Sequence, residues 1–552
     1  MDETTSYPPI EPSNFDLIVI GTGLPEAILA AAASAAGKSV LHLDPNPSYG
    51  THYASLPLHE FTSYIQSQSS QSSFNPPIPQ PDIDSGFTRI PLSTRPLYSS
   101  VEITSYSSEP LEQSRKFNID LSGPRILLCA DAMIDLILKS EVNQYMEFKS
   151  IDGSFMSDGE GNLENVPDSR SAIFKDRILS FTEKNQLMRF FKLVQGHLEA
   201  APGGGGGESS ESKSISDQDL ESSFVEFLSK MGLSPKLKSI ILYAIAMADY
   251  DQENGDAYKS VLKTKDGIER LALYHSSVGR FPNAPGAMIY PIYGQGELPQ
   301  AFCRRAAVKG CIYVLRMPVN FLLMDKVSGS YKGVFLASEQ ELFSHKLILA
   351  PSFVVPSPPP HSSPDTCDFG SPNTTEKLAR SICISNHSLK LDIANCLAFF
   401  PPRSLFPEQV TAIHVLQLSS NVAVCPSGMF LTYLSAICED DIQGNKLLHA
   451  AINVLFRVPV SGSPGDHNSA EDQSEMGNAK PALLWSALYT QELAKFQDVL
   501  DNIIGTPMPD GSPCYHDLLG ATEKKFQELY SGEEFFPKST SSDEGAGQVL
   551  ED

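Results

Sequence analysis

The first clear hydrophobic pattern is Asp16-Leu-Ile-Val-Ile20, a short apolar run that stops at glycine. Such a run, without polar alternation, predicts a strand buried on both faces. Gly21-Thr-Gly23-Leu-Pro25-Glu26 follows, then an alanine-rich stretch to about Ala36 closed by Gly37, which predicts a helix. Ser39-Val-Leu-His-Leu-Asp44 reads as a second strand. Together they make a βαβ unit of about 30 residues, the entry unit of a dinucleotide-binding sheet.

Further along, Phe61 to Ser85 is rich in Ser, Gln and Pro and predicts a mobile loop. Order resumes near Phe117-Asn-Ile-Asp-Leu121, and Ala130 to Glu147 carries apolar residues at helical spacing. From about Arg170 to Tyr274 the texture is helical. Phe181 to Leu198 and Phe224 to Met231 are amphipathic stretches. Ser234-Pro235 predicts an N-cap and first turn, opening a helix over Leu237 to Met247 that is apolar nearly all round. Between the first two stretches, Ala201 to Asp219 holds five consecutive glycines and predicts a disordered insertion. Tyr290 to Leu315 returns to α/β texture, with a helix ending at Gly310 and a strand over Cys311 to Leu315. Leu483 to Tyr489 predicts a buried strand carrying the only tryptophan. Residues 356–366 and 460–480 read as loose, and the tail 536–552 as acidic and disordered.

Composition narrows the function. At 552 residues and 41% hydrophobic, the chain can bury a large core in more than one domain. A net charge of −25 disfavours nucleic acid or an anionic membrane as partners through charge alone and suits a partner with basic surfaces. The nine cysteines show no CxxC pair and no zinc spacing, which reads as reduced thiols in a cytosolic protein. The acidic, proline-containing N-terminus is unlike a signal peptide. No apolar run reaches the roughly 20 residues of a membrane span, so membrane contact is expected to be peripheral or through a partner. The twelve histidines have no metal spacing, and no Ser–His–Asp or Cys–His arrangement stands out.

The glycine turn is the sharpest local motif. In a complete G-x-G-x-x-G the third glycine lets the helix pack close to the strand, with the pyrophosphate on the helix N-terminus. Here the pattern is Gly21, Gly23 and then Glu26. A carboxylate there competes for the same amides and repels a phosphate. Asp44, 23 residues beyond Gly21, stands where a ribose-binding acid belongs. The turn therefore predicts a retained scaffold whose nucleotide role is lost, and no cofactor. A flavin-dependent oxidoreductase is the enzyme alternative.

Three blocks carry a family resemblance. They are Val19 to Glu26 with Val40 to Gly50, Phe117 to Leu121 through Lys139 to Lys149, and Tyr290-Pro-Ile-Tyr-Gly-Gln-Gly-Glu-Leu-Pro-Gln300. In this order they resemble the Rab escort protein and Rab GDP-dissociation inhibitor superfamily. Pro25, Gln295 and the chain length favour the escort branch. The resemblance implies an α/β fold: a flavoprotein-like, dinucleotide-binding-type large domain whose cofactor site is lost, with a smaller all-helical domain inserted. The large domain would be residues 1–169 and 276–535, and the helical domain 170–275.

The resemblance implies a non-catalytic accessory component of Rab geranylgeranyl transferase. It would bind GDP-form Rab GTPases, unprenylated and prenylated, present them to the transferase heterodimer, hold the geranylgeranyl lipid and deliver the product to membranes from the cytosol. A recycling chaperone of the inhibitor type is the alternative within the superfamily. The implied Rab platform is Tyr49, Arg280, Tyr293, Gln295 and Glu297. Ser276 and Asn283 depart from the charged residues that inhibitors carry nearby. For the lipid, Phe190, Phe191, Phe224, Ile241, Leu242, Ile245 and Met247 are candidate groove residues, because each buried CH₂ contributes about 0.8 kcal/mol.

Overall fold

The computed structural model describes residues 7–69, 86–107, 111, 114–167, 170–200, 215–253, 261–355, 376–459 and 480–537. The βαβ unit forms as the pattern requires. β1 (Asn14–Ile20), α1 (Leu24–Ala35) and β2 (Val40–Asp44) are almost wholly buried. β1 and β2 pair in parallel, and β1 pairs in parallel with Glu341–Leu349 on its other side. Ile312–Leu315 extends the parallel set beyond β2, and Ile503–Gly505 joins Glu341–Leu349. Tyr331–Leu336, Val319–Asp325 and Phe87–Pro91 continue the nine-stranded sheet in antiparallel fashion.

A second sheet of eight strands stands apart from the first. Its order is Leu163–Asn165, Gly153–Ser157, Cys396–Phe400, Ile413–Ser419, Phe430–Cys438, Lys377–Ser385, Leu483–Glu492 and Tyr98–Ser105. Leu483–Glu492 is the predicted strand carrying Trp485. The expected α/β class with a flavoprotein-like sheet is what the chain adopts.

The first helices after α1 are α2 (Leu58–Ser69) and α3 (Ala132–Lys139). α2 corrects the loop expected from Phe61. Leu58, Phe61 and Ile65 recur at helical spacing and are buried, and Phe61 meets Trp485 edge-on at 6.3 Å. Residues 70–85 of that expected loop lie outside the described residues. α4 (Arg170–Lys175), α5 (Phe181–Ala200), α6 (Asp217–Glu221), α7 (Phe224–Lys230), α8 (Pro235–Ser239) and α9 (Thr264–Ser277) follow, and no described residue between Arg170 and Ser277 belongs to a strand of either sheet. α10 (Glu297–Val308) packs on α1, α11 (Asp441–Leu455) covers the second sheet, and α12 (His516–Leu529) packs against α1.

Three sequence boundaries shift. The single helix expected over Leu237 to Met247 is α8 followed by a wide π turn, Ile240–Ile245, which ends at Met247 with φ +51°. The expected insertion ends sooner, because Ile215 is buried and α6 starts at Asp217, capped by Ser216. Its glycine run lies outside the described residues, as do 356–366, 460–479 and the tail from 538. Phe536 belongs to the folded part, 6.1 Å ring to ring from Phe302.

The largest apolar core crosses from helices to sheet. It joins Phe190, Phe224 and Leu237 of the helical stretch to Leu416, Tyr433 and Trp485 of the second sheet. The helices are therefore packed on the second sheet rather than built around a separate core.

Candidate functional site

The glycine turn shows why a dinucleotide does not fit. Gly21 has φ +103°, and a Cβ there would stand 2.4 Å from the Ala350 Cβ, so only glycine closes this turn. A Cβ on Gly23 would stand 2.5 Å from Glu26 Oε2, so the Glu26 carboxylate lies directly over the start of α1. Thr506 Oγ1 donates to Glu26 Oε1 at 2.5 Å. Asp44 is equally occupied. Its Oδ2 accepts from the Thr22 amide (2.9 Å), Thr22 Oγ1 (2.7 Å) and Thr51 Oγ1 (3.1 Å). Its Oδ1 accepts from the Asn46 amide at 2.8 Å. The ribose acid is thus spent inside the fold and a buried carboxylate covers the start of α1, so these residues do not fit a flavin or nicotinamide dinucleotide.

Burial raises the Glu26 carboxyl to about 7, with repulsion from Asp44 adding to it; hydrogen bonds from Thr506 and its own amide oppose the rise. Burial raises Asp44 as well. Between its ordinary value of 4.5 and about 7, folded Glu26 holds a proton that the unfolded chain has released. Glu26 therefore makes stability fall as pH rises through that window. Glu26→Gln is expected to match the wild type below it and to exceed it above by on the order of 3 kcal/mol. Urea unfolding at the two ends of the window checks this.

The second and third sequence blocks meet at one buried acid. Ser55–Pro57 pairs with Asn118–Asp120, and Asp120 collects the other contacts. Ser55 Oγ and Tyr290 OH each donate to its carboxylate at 2.5 Å, and the Gln295 amide donates at 3.0 Å. Burial raises Asp120 to about 6 against these three donors. Gly296 N donates to Ser55 Oγ at 2.7 Å. A Cβ on Gly294 would lie 2.5 Å from Ser55 Oγ and 2.7 Å from Asp120 Oδ1, and Gly294 has φ +110°. Both glycines of Gly294-Gln-Gly296 are thus required by close approach. Asp120 sits inside a block the sequence singles out, but a buried hub has no local signal in a sequence.

The five platform candidates separate into three kinds. Tyr293 is 57% exposed and held at φ +75°, with its amide donating to Val422 O. Glu297 is half-buried in the first turn of α10, and Tyr49 is half-buried with its ring edge-on to Tyr313 at 6.1 Å. Arg280 turns inward on one side, donating to Cys129 O (2.8 Å) and Asp135 Oδ1 (2.7 Å). Gln295 is in the interior at 1% exposure. Its Nε2 donates to Arg125 O at 2.8 Å, and its Oε1 accepts from Tyr515 OH at 2.5 Å. Gln295 therefore shapes the Tyr293 turn and presents no side chain to a partner. Ser276 and Asn283 are exposed near Arg280 in sequence.

A cavity of about 80 Å³ opens among the helices, lined by Ile173, Phe191, Val194, Leu198, Ile245, Leu271 and Tyr274 with other residues of α5 and α9. Of the groove candidates only Ile245 and Phe191 line it. Phe190, Phe224, Ile241 and Leu242 are core, and Met247 is buried beside them. Phe224 presses so closely on α9 that a Cβ on Gly267 would stand 2.5 Å from its ring. Of the lining residues that sequence reading missed, Ile173, Val194, Leu271 and Tyr274 are buried and Leu198 is exposed, and in sequence they are ordinary apolar positions of amphipathic helices.

Among the described residues no His, Cys, Asp and Glu cluster could hold a metal, and no helix is long and apolar enough to cross a membrane. Eight of the nine cysteines are described, and all eight are free.

A dinucleotide-binding scaffold with its turn plugged and helices packed on its second sheet is a fold this chain shares with known proteins. The sequence profile of the GDP dissociation inhibitor family covers residues 11–76 and 86–461, and the chain belongs to that family. It is 52% identical to Rab escort protein 1 of Arabidopsis thaliana, over 100% of this chain and 99% of that protein. It is 25% identical to Rab proteins geranylgeranyltransferase component A 2 of Mus musculus, over 95% and 97%. The crystal structure of a Rab GDI from Plasmodium falciparum shares the fold at TM-score 0.64, with 20% identity over 95% of this chain and 100% of that one. The placement expected from the three blocks holds.

Proposed function

We propose that the chain is a non-catalytic Rab escort component. It binds GDP-form Rab GTPases, presents their C-terminal cysteines to the geranylgeranyl transferase heterodimer, holds the lipidated product and releases it at membranes. The end-to-end kinship with an escort protein carries this reading. Tyr293, Glu297 and Tyr49 offer the exposed or half-exposed surface for the GTPase, with aromatic contact area of the kind that anchors interfaces. Arg280 adds a cation that stays partly in solvent. The cavity between α5 and α9 offers apolar walls to a prenyl chain. The helical stretch 170–275 works as the lipid-holding unit, on a large domain formed by 1–169 and 276–535.

The test is lipidation of a Rab by purified transferase, with and without this chain. Lipidation is expected only with the chain present. An unchanged rate on its addition refutes the escort reading. Capture of the transferase subunits separates it from a recycling chaperone, which has no need of them.

A further inference from the structure

The turn that offers Tyr293 to solvent is gripped from beneath by one short strand. Tyr293 is a non-glycine residue at φ +75° with its ring mostly exposed. Such a backbone persists only while its neighbours hold it. Asn118–Asp120 supplies the grip at both ends of the turn. Asn118 Nδ2 donates to Tyr293 O, and the Gln295 amide donates to Asp120 Oδ1 at 3.0 Å. Ser55, which donates to the same carboxylate, accepts from the Gly296 amide at 2.7 Å. Two successive amides of the turn thus end on the carboxylate or on the serine it orients.

Charge decides whether this grip holds. Every hydrogen-bond partner of the Asp120 carboxylate is a donor: the Ser55 and Tyr290 hydroxyls and the Gln295 amide. The two hydroxyl contacts, at 2.5 Å each, have the length of charge-assisted bonds. Among the described residues no cation pairs with this carboxylate. A proton on it would weaken all three bonds and would itself meet only donors. Burial brings that proton within reach by raising the carboxyl to about 6. The other groups that face Asp120 keep their charge state near neutral pH. Met288–Pro291 presents Tyr290, Phe430–Cys438 presents Tyr433, Leu483–Glu492 presents Tyr489, and the segment before α12 presents Tyr515. Burial holds all four phenols above their ordinary value. Arg125 and Arg380, the cations beside those phenols, stay protonated. Glu297, also raised by burial, is the competing acid on the turn itself.

We propose that Asp120 is the positioning residue of the GTPase platform: as a carboxylate it latches the Tyr293–Glu297 turn, and on protonation it releases the turn and the bound GTPase. The consequence for a GTPase rests on the carrier reading; the latch itself does not. The ionised form is nearly all of the protein at pH 7.5 and about a tenth of it at pH 5. Affinity of the full chain for GDP-loaded Rab is therefore expected to fall about tenfold across that range.

The experiment is titration of GDP-loaded Rab between pH 5 and pH 7.5, with wild type and two variants. Hydrogen exchange of the 293–298 amides in the free chain, corrected for its intrinsic pH dependence, is followed in parallel and is expected to speed up about tenfold on acidification. Asp120→Asn keeps the shape without the charge. It is expected to bind about tenfold more weakly at pH 7.5 and to lose the pH dependence. Tyr290→Phe removes one donor from the ionised form and is expected to move the midpoint of the profile to higher pH. A residue that only supports the fold would lower the melting temperature and leave that midpoint in place.

A flat wild-type profile overturns the proposal. So does an Asp120→Asn variant that keeps the wild-type slope, which would place the titration on Glu297 or on the GTPase. So does a Tyr290→Phe variant with an unmoved midpoint, and these last profiles decide the matter even if Asp120→Asn does not fold. Amides that open on acidification in a chain that binds Rab at no pH refute the carrier reading and keep the latch.

Discussion

Arg380→Ala is expected to lower the free energy of unfolding by about 3–5 kcal/mol, read from urea titration. Arg380 stands in the middle of the second sheet at 1% exposure, without a carboxylate among its hydrogen-bond partners. Its Nε donates to Gln491 Oε1 at 2.8 Å, Nη1 to Ser122 O (3.0 Å) and Gly123 O (2.5 Å), and Nη2 to Asp510 O (3.1 Å). Burial pulls its pKa down to about 10, so it stays charged at neutral pH. Removing it strands the Ser122 and Gly123 carbonyls and the Gln491 amide oxygen away from water, while Asp510 O keeps Arg125. Arg125 grips the same segment, donating to Cys514 O and to Asp510, with its guanidinium 5.0 Å from the Tyr515 ring centre. Tyr515 in turn holds Gln295, so loss of Arg380 is also expected to weaken GTPase binding through the Tyr293 turn. Arg380→Lys keeps the charge but lacks the planar fork, and is expected to recover only part of the loss. An alanine variant within 1 kcal/mol of wild type would show that the carbonyls find other donors.

What the sequence made legible follows from where the physics is local. The β1–α1–β2 unit was readable because its run lengths, glycines and caps are all near neighbours in the chain. Glu26 was readable as a plug because a helix start has a known charge preference. The second sheet was not. Lys377–Ser385, Cys396–Phe400 and Ile413–Ser419 are apolar runs buried on both faces, which periodicity cannot separate from buried helix. Gln295 misled for a related reason. Its loop is marked by glycines that the sequence shows, but its side chain is aimed inward by Arg125 and Tyr515, respectively 170 and 220 residues away. Of the prenyl candidates only Ile245 and Phe191 line the cavity, because apolar character predicts burial and says nothing of which buried face is left unfilled.

Ala272→Trp is expected to weaken binding of a geranylgeranylated Rab by more than a hundredfold while leaving the unprenylated Rab unaffected. Ala272 lines the cavity from α9 and is half-exposed, so an indole can sit in the mouth without displacing core. The cavity at about 80 Å³ accepts a few water-sized groups. A geranylgeranyl chain therefore enters only if α5 and α9 move apart, and a ring fixed at the mouth opposes both the opening and the depth of entry. Keeping about four methylenes in water costs about 3 kcal/mol, which is more than a hundredfold in affinity. The proposed GTPase surface at Tyr293 and Glu297 lies on a different turn and is expected to supply the part of the affinity that is retained. Titration of the two Rab forms against wild type and variant measures the split directly. Equal loss for both forms would place the lipid elsewhere, and no loss for either would mean that the helices already hold it along another seam.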